Sequence, residues 1–208
     1  MPDPDWTVAA RVREPYVTDP KEPELTNVVD LIMQDHREVE RLFEELRTDP
    51  SKRPTLLPTL TTLLVAHSRA EEAEVYPAAR DEAGAAEDVE HSQKEHLAAE
   101  QVLERLAAAD PLSTEFDSTL QELVDAVTHH VEEEEKTVLP GMRQNLDEKR
   151  LADLGEAFLS SRREHLGEQP GEKTKEEMLQ QADMAGIDGA SGMSKDELKK
   201  ALDKNAEM

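Results

Sequence analysis

The chain has 208 residues, enough for one substantial domain with an appendage or for two small domains. Its 48 acidic side chains against 24 Lys and Arg leave a formal charge of −24, which repels nucleic acid and anionic membranes. The absence of cysteine excludes disulfides, thiolate metal sites and a cysteine nucleophile. Acid and proline stand at the start, where a secretory signal would have a basic end and an apolar run. No stretch approaches the roughly 18 apolar residues of a membrane span, so a cytoplasmic protein is expected. Aromatics make up only 3% and the chain is poor in β-branched and aromatic runs, which points to an all-α fold.

Residues 1–23 are proline-rich and read as an extended arm, with Trp6 and Tyr16 available to dock on the body. Four helical patterns follow, each with apolar residues at spacings of three and four. The first runs from an Asn27 cap to Leu46 and turns Val28, Leu31, Ile32, Val39, Leu42 and Phe43 inward. The second carries Leu57, Leu60, Leu64 and Val75 and is expected to end near Pro77. The third starts around Ala86, and the fourth, from Phe116, stops near Pro140. A shorter fifth helix, 147–164, offers Leu151, Leu154 and Phe158 as a flank. Short loops between long amphipathic helices predict an antiparallel up-down four-helix bundle over residues 24–165. Residues 166–172 read as a linker, and 173–208 as a small helix-loop-helix module with capping boxes at Thr174/Glu177 and Ser194/Glu197.

Four histidines interrupt the apolar stripes where an inward residue is required: His36, His67, His96 and His130. His67 and His130 each have a glutamate four residues on, Glu71 and Glu134, on the same helical face. The segments HSRAEEAEVYP (67–77) and HVEEEEKTVLP (130–140) share one pattern at an offset of 63 residues, and His36 and His96 are offset by 60. The bundle therefore reads as a duplicated helical hairpin with inward His and Glu around its two-fold axis. Buried glutamates cost several kcal/mol each unless paired or metal-bound, and no inward Lys or Arg stands at matching stripe positions. A pair of bound cations removes that cost. Imidazole with carboxylate and no thiolate suits iron, manganese or zinc, and six ligands with two bridging carboxylates suit two octahedral metals about 3.5–4 Å apart.

The order His, His-x-x-x-Glu, His, His-x-x-x-Glu over residues 27–145 resembles the hemerythrin-like, or HHE cation-binding, domain. The resemblance implies a non-haem di-iron centre, two iron ions with His36, His67, His96 and His130 as terminal ligands and Glu71 and Glu134 as bridges. It also implies small-molecule partners, O2, H2O2 or NO, with family roles in oxygen binding, sensing, peroxide or nitric oxide chemistry and iron–sulfur repair. Oxygen-carrying members have a fifth histidine four residues before the third; Ser92 stands there instead. Glu100, or water, is the expected substitute ligand, and the loss favours a centre that turns over or senses. Peroxide decomposition is the first expectation; an oxygen or iron sensor signalling through the C-terminal segment, and iron handling, are the alternatives.

Glu72 and Glu135 are expected to accept hydrogen bonds from ligating histidines. His91, His129 and His165 read as surface residues, and Tyr76, whose repeat partner is Leu139, as packing. Residues 173–203 resemble the small helix–extended-loop–helix module at the start of transcription terminator Rho. Six lysines against nine acidic residues from Glu172 onward, with no aromatic for base stacking, favour protein contact over nucleic acid there.

Overall fold

The computed structural model describes residues 27–206; the expected arm, with Trp6 and Tyr16, lies outside the described residues. Helix α1 (Val28–Thr48) starts at Asn27, whose side-chain oxygen accepts a 2.9 Å hydrogen bond from the Val29 amide. Helix α2 (Arg53–Ala70) runs back along it. Its continuation does not stop at Pro77. Proline cannot donate to the carbonyl four residues back and its ring crowds that carbonyl. The chain responds by widening into a π-helical turn over Glu71–Val75, in which the Tyr76 amide reaches the Glu71 carbonyl, and α3 (Tyr76–Glu82) carries on through the proline. In the second hairpin, α4 (Ala86–Ala108) is followed by α5 (Thr114–Glu134), capped by Ser113. Here the helix breaks immediately after Glu134, and α6 (Val138–Asn145) takes up Pro140. Both hairpins thus lose the regular ladder at the same place, just past the second glutamate-bearing turn.

Helices α1, α2, α4 and α5 close a ring, each packing on the next, which is the expected all-α up-down bundle. Helix α7 (Glu148–Glu164) lies across α1 and α2 and buries Leu151, Leu154 and Phe158 against them. Helices α8 (Lys175–Met184) and α9 (Lys195–Ala206), joined through a 3-10 turn, pack on α4 around Leu97, with Met178, Ala182, Leu198 and Leu202. The capping box at Thr174/Glu177 is formed, and Ser194 and Glu197 make the same reciprocal pair. Between bundle and α8, Gly171 takes φ +79° and gives its amide to Glu100; a Cβ there would collide with Glu104.

Two apolar clusters form the bundle core. One gathers Ile32, Val75, Val138, Leu139 and Phe158; the other gathers Leu42, Leu46, Leu60, Leu106 and Leu123. Fully burying each Leu contributes roughly 1.5–3 kcal/mol. His36 falls between Ile32 and Val39 along α1, and the other inward histidines interrupt their helices at the same level. A polar layer therefore crosses the middle of an otherwise apolar core, and the apolar ends supply the stability that offsets it.

Candidate metal centre

His36, His67, His96 and His130 are 2–6% exposed, and Glu71 and Glu134 are fully buried. The structure brings all six together. His36 and His67 meet Glu71 at one end of the layer, and His96 and His130 meet the same Glu71 at the other. Glu71 Oε2 lies 3.1 Å from His67 Nε2 and 3.4 Å from His96 Nε2, while Glu134 Oε2 lies 3.3 Å from His36 Nε2. The two Nε2 atoms of His96 and His130 are 3.0 Å apart. Each hairpin thus contributes one histidine pair, and the glutamates sit between the pairs.

Three of these imidazoles are held from behind by a carboxylate hydrogen-bonded at Nδ1, and the fourth, His96, has one facing its Nδ1 without a hydrogen bond. Asp35 Oδ2 stands 3.2 Å from His67 and Glu95 Oε2 3.1 Å from His130, each within one hairpin. Glu135 Oε1 stands 2.9 Å from His36 and Glu72 Oε1 3.5 Å from His96, each across to the other hairpin. In the neutral imidazole, an Nδ1–H directed at a carboxylate leaves Nε2 as the lone-pair nitrogen facing inward. Sequence reasoning had Glu72 and Glu135 but not Asp35 and Glu95. These two immediately precede His36 and His96, in DH and EH pairs at the same offset of 60, a signal that the repeat carried.

The outer carboxylates are themselves anchored. Glu72 receives Gln93 (2.8 Å), Gln181 of α8 (2.9 Å) and Arg69 (3.3 Å). Asp35 receives Arg162 of α7, whose Phe158 also meets the His67 ring edge-on. An inward arginine exists after all: Arg69 is 3% exposed. It pairs with Glu72 and Glu100, in the outer ring, rather than with Glu71 or Glu134. Glu100 lines the same cavity as the four histidines, but its carboxylate is taken by Arg69, Lys173 and the Gly171 amide.

Charge follows the same pattern. Burial alone would depress the His67 imidazolium, but the Glu71 charge and the Asp35 hydrogen bond outweigh it and raise its pKa to about 10. His130 is raised likewise, by Glu95, Glu134 and Glu71 against burial. Burial pushes Glu72 and Glu134 upward, yet the neighbouring imidazoles, with Arg69 at Glu72, hold both carboxyls below their ordinary value. Even so, both oxygens of Glu71, both of Glu134 and Nε2 of His36 are buried without a hydrogen-bond partner among the described residues. Buried polar atoms are rarely left so. Here five of them converge with three further Nε2 atoms. Imidazole nitrogen and carboxylate oxygen in this number fit a pair of borderline-to-hard divalent cations.

The family model for the hemerythrin HHE cation-binding domain matches residues 27–141. The chain belongs to this hemerythrin family. A "DNA nickase" of Nostoc sp. is 30% identical over 148 residues, 70% of this chain and 42% of the relative, so the chain spans less than half of that protein's length. No solved structure matches the chain. Membership of the hemerythrin family brings metal-cation binding with it, and no helix among the described residues is long and apolar enough to cross a membrane.

Against the sequence reading, Tyr76 does more than pack. It is fully buried, and its hydroxyl lies 3.1 Å from His96 Nε2. Ser92, which replaces the fifth histidine of the oxygen-carrying hemerythrins, is buried beside it and within hydrogen-bonding reach of the phenol. Burial and the charges of Glu134 and Glu71 push the Tyr76 hydroxyl well above its ordinary pKa, so it is a persistent O–H donor. Next to the histidines is a cavity of about 40 Å³, room for about three water-sized molecules. Val39, Leu103, Leu123 and Val127 line it together with His36 and His130.

Proposed function

We propose that this protein is a non-haem di-iron protein that decomposes hydrogen peroxide. His36, His67, Glu71, His96, His130 and Glu134 would hold the two irons. The observation that carries the reading is the set of buried, unsatisfied oxygens of Glu71 and Glu134 among four inward Nε2 atoms. Iron bound there supplies the two-electron exchange that converts two H2O2 to two H2O and one O2.

The protein's own residues account for the rest. Asp35, Glu95 and Glu135 hydrogen-bond Nδ1 of His67, His130 and His36 and orient those rings, and Glu72 faces His96 Nδ1 at 3.5 Å. The cavity admits a ligand of two or three heavy atoms and its Leu and Val walls limit water. Tyr76 donates a hydrogen bond to an oxygen placed beside His96. Molecules of the size of O2 and NO meet the same cavity. The iron-loaded protein should therefore be given H2O2, O2 and NO separately. Sustained O2 release from peroxide supports catalysis, whereas stable adduct spectra with O2 or NO and no turnover favour a binding role.

A second reading, an oxygen or iron sensor, draws support from Gln181, which reaches from the C-terminal module to the carboxylate that faces His96. The nicking activity in the relative's name does not suit this chain as well. A surface with a charge of −24 opposes a polyanionic substrate, and the chain covers only 42% of that relative.

A further inference from the structure

On the outer face of the second hairpin, His91 and Glu95 stand one turn apart on α4, opposite His129 and Glu133, one turn apart on α5. The two imidazoles are 56% and 63% exposed, yet they are not isolated. His91 Nε2 lies 3.0 Å from Glu133 Oε2 and 3.5 Å from Glu95 Oε1. His129 Nε2 lies 3.4 Å from Glu133 Oε1 and 3.5 Å from Glu95 Oε1. A tetrahedral ion with Zn–N and Zn–O bonds near 2.0–2.2 Å has ligand-to-ligand edges of about 3.3–3.5 Å. The three separations to Glu95 Oε1 and Glu133 Oε1 match that edge, and the fourth runs from His91 to the other Glu133 oxygen. Each Nε2 faces two carboxylates while carrying at most one proton, so hydrogen bonding satisfies no more than half of these contacts.

Three further observations point the same way. Among the described residues, the partners of the Glu95 and Glu133 carboxylates are imidazoles only, so no lysine or arginine competes with a cation. In the first hairpin the corresponding positions are Leu31, Asp35, Ala66 and Ala70, packed under α7. The four-residue set is therefore particular to the open hairpin and is not carried along by the duplication. Finally, the net charge of −24 raises the local concentration of cations.

We infer that His91, Glu95, His129 and Glu133 form a surface site for a zinc-class divalent cation, separate from the buried centre. Two imidazoles select against magnesium and calcium. The site touches the buried layer at one point: Glu95 offers Oε1 outward while its Oε2 holds His130. A cation outside draws charge from the carboxylate that orients that histidine. The inference rests on the outer face alone and stands whether or not the buried centre holds iron.

The test is zinc stoichiometry on the full chain, by plasma mass spectrometry after equilibration with micromolar zinc and gel filtration. Three proteins are compared: the parent, His91→Ala/His129→Ala, and the buried-centre variant His36→Ala/His96→Ala. Loss of a residue that merely orients a ligand costs about 10–100-fold in metal affinity, so removing two ligands should cost more. The expected result is one zinc per chain in the buried-centre variant, and one zinc fewer in the surface variant than in the parent. Equal zinc in the parent and the surface variant, or no zinc in the buried-centre variant, would overturn the inference. Because the surface variant leaves the six buried residues intact, its iron content separately reports on the di-iron reading.

Discussion

Gln181 donates a 2.9 Å hydrogen bond to Glu72, whose other oxygen faces His96 Nδ1. Gln181 belongs to α8, in the C-terminal module, and His96 to the bundle's polar layer. The neighbouring Gln180 also bonds the Glu72 backbone carbonyl at 2.7 Å. The module is thus fastened to the bundle at a residue that faces a candidate ligand. This gives a first prediction. Gln181→Leu should leave the fold intact and weaken iron binding by about 10–100-fold, the usual cost of losing such a supporting partner. Competition with a chelator measures it; unchanged affinity would mean that the contact only packs the module.

The unsatisfied oxygens of Glu71 and Glu134 carry a second. Metal binding to the native state alone raises apparent stability by mass action. The parent protein should therefore melt at a higher temperature with iron than without it. Glu71→Ala/Glu134→Ala should lose that increment entirely, because the two buried carboxylates are gone. Thermal melts with and without ferrous iron compare the two; an iron-dependent rise in the variant would place the metal elsewhere.

A third prediction concerns pH. The folded pKa of His67 is about 10 against an ordinary 6.5, because Glu71 and Asp35 outweigh its burial. In the metal-free protein this imidazolium stabilises the fold fully below about pH 6.5, and the contribution is lost as pH rises from 6.5 to 10. Metal on Nε2 takes the place of the proton, so the loaded protein should not show that decline. Melting temperature followed across this window, with and without metal, should diverge with rising pH. Parallel curves would contradict the placement of metal on His67.

Tyr76→Phe gives a fourth. The hydroxyl is not one of the six proposed ligands, so iron content and helicity should be retained. If the phenol's hydrogen bond assists turnover, peroxide consumption should fall by about 100-fold or more, the usual cost of removing one positioned donor. Equal rates would return Tyr76 to the packing role that its repeat partner Leu139 suggests.

The four histidines and two glutamates were legible because each breaks an apolar stripe, and a buried charge must have a reason. The hairpin duplication was legible in the matching HSRAEEAEVYP and HVEEEEKTVLP blocks. What escaped were partners whose place depends on how neighbouring helices meet. Asp35 serves His67 and Glu95 serves His130, on neighbouring helices, so helical spacing along one segment cannot reveal either pair. His91 and His129 looked like separate surface residues for the same reason: their convergence depends on the register of α4 against α5. Pro77 read as a stop because a regular helix cannot pass a proline without cost. The π-helical turn absorbs that cost, and the widened turn spans Glu71, Glu72 and Val75, all of which are buried.

The measurement that bears most directly on the central claim is iron per chain in protein produced with iron, manganese and zinc all available, read for the parent and for His96→Ala/His130→Ala. The account predicts close to two irons in the parent, with the visible absorption of a bridged ferric pair, and loss of both irons and absorption in the variant. Little iron in the parent, or a full iron complement and the same absorption in the variant, would contradict it.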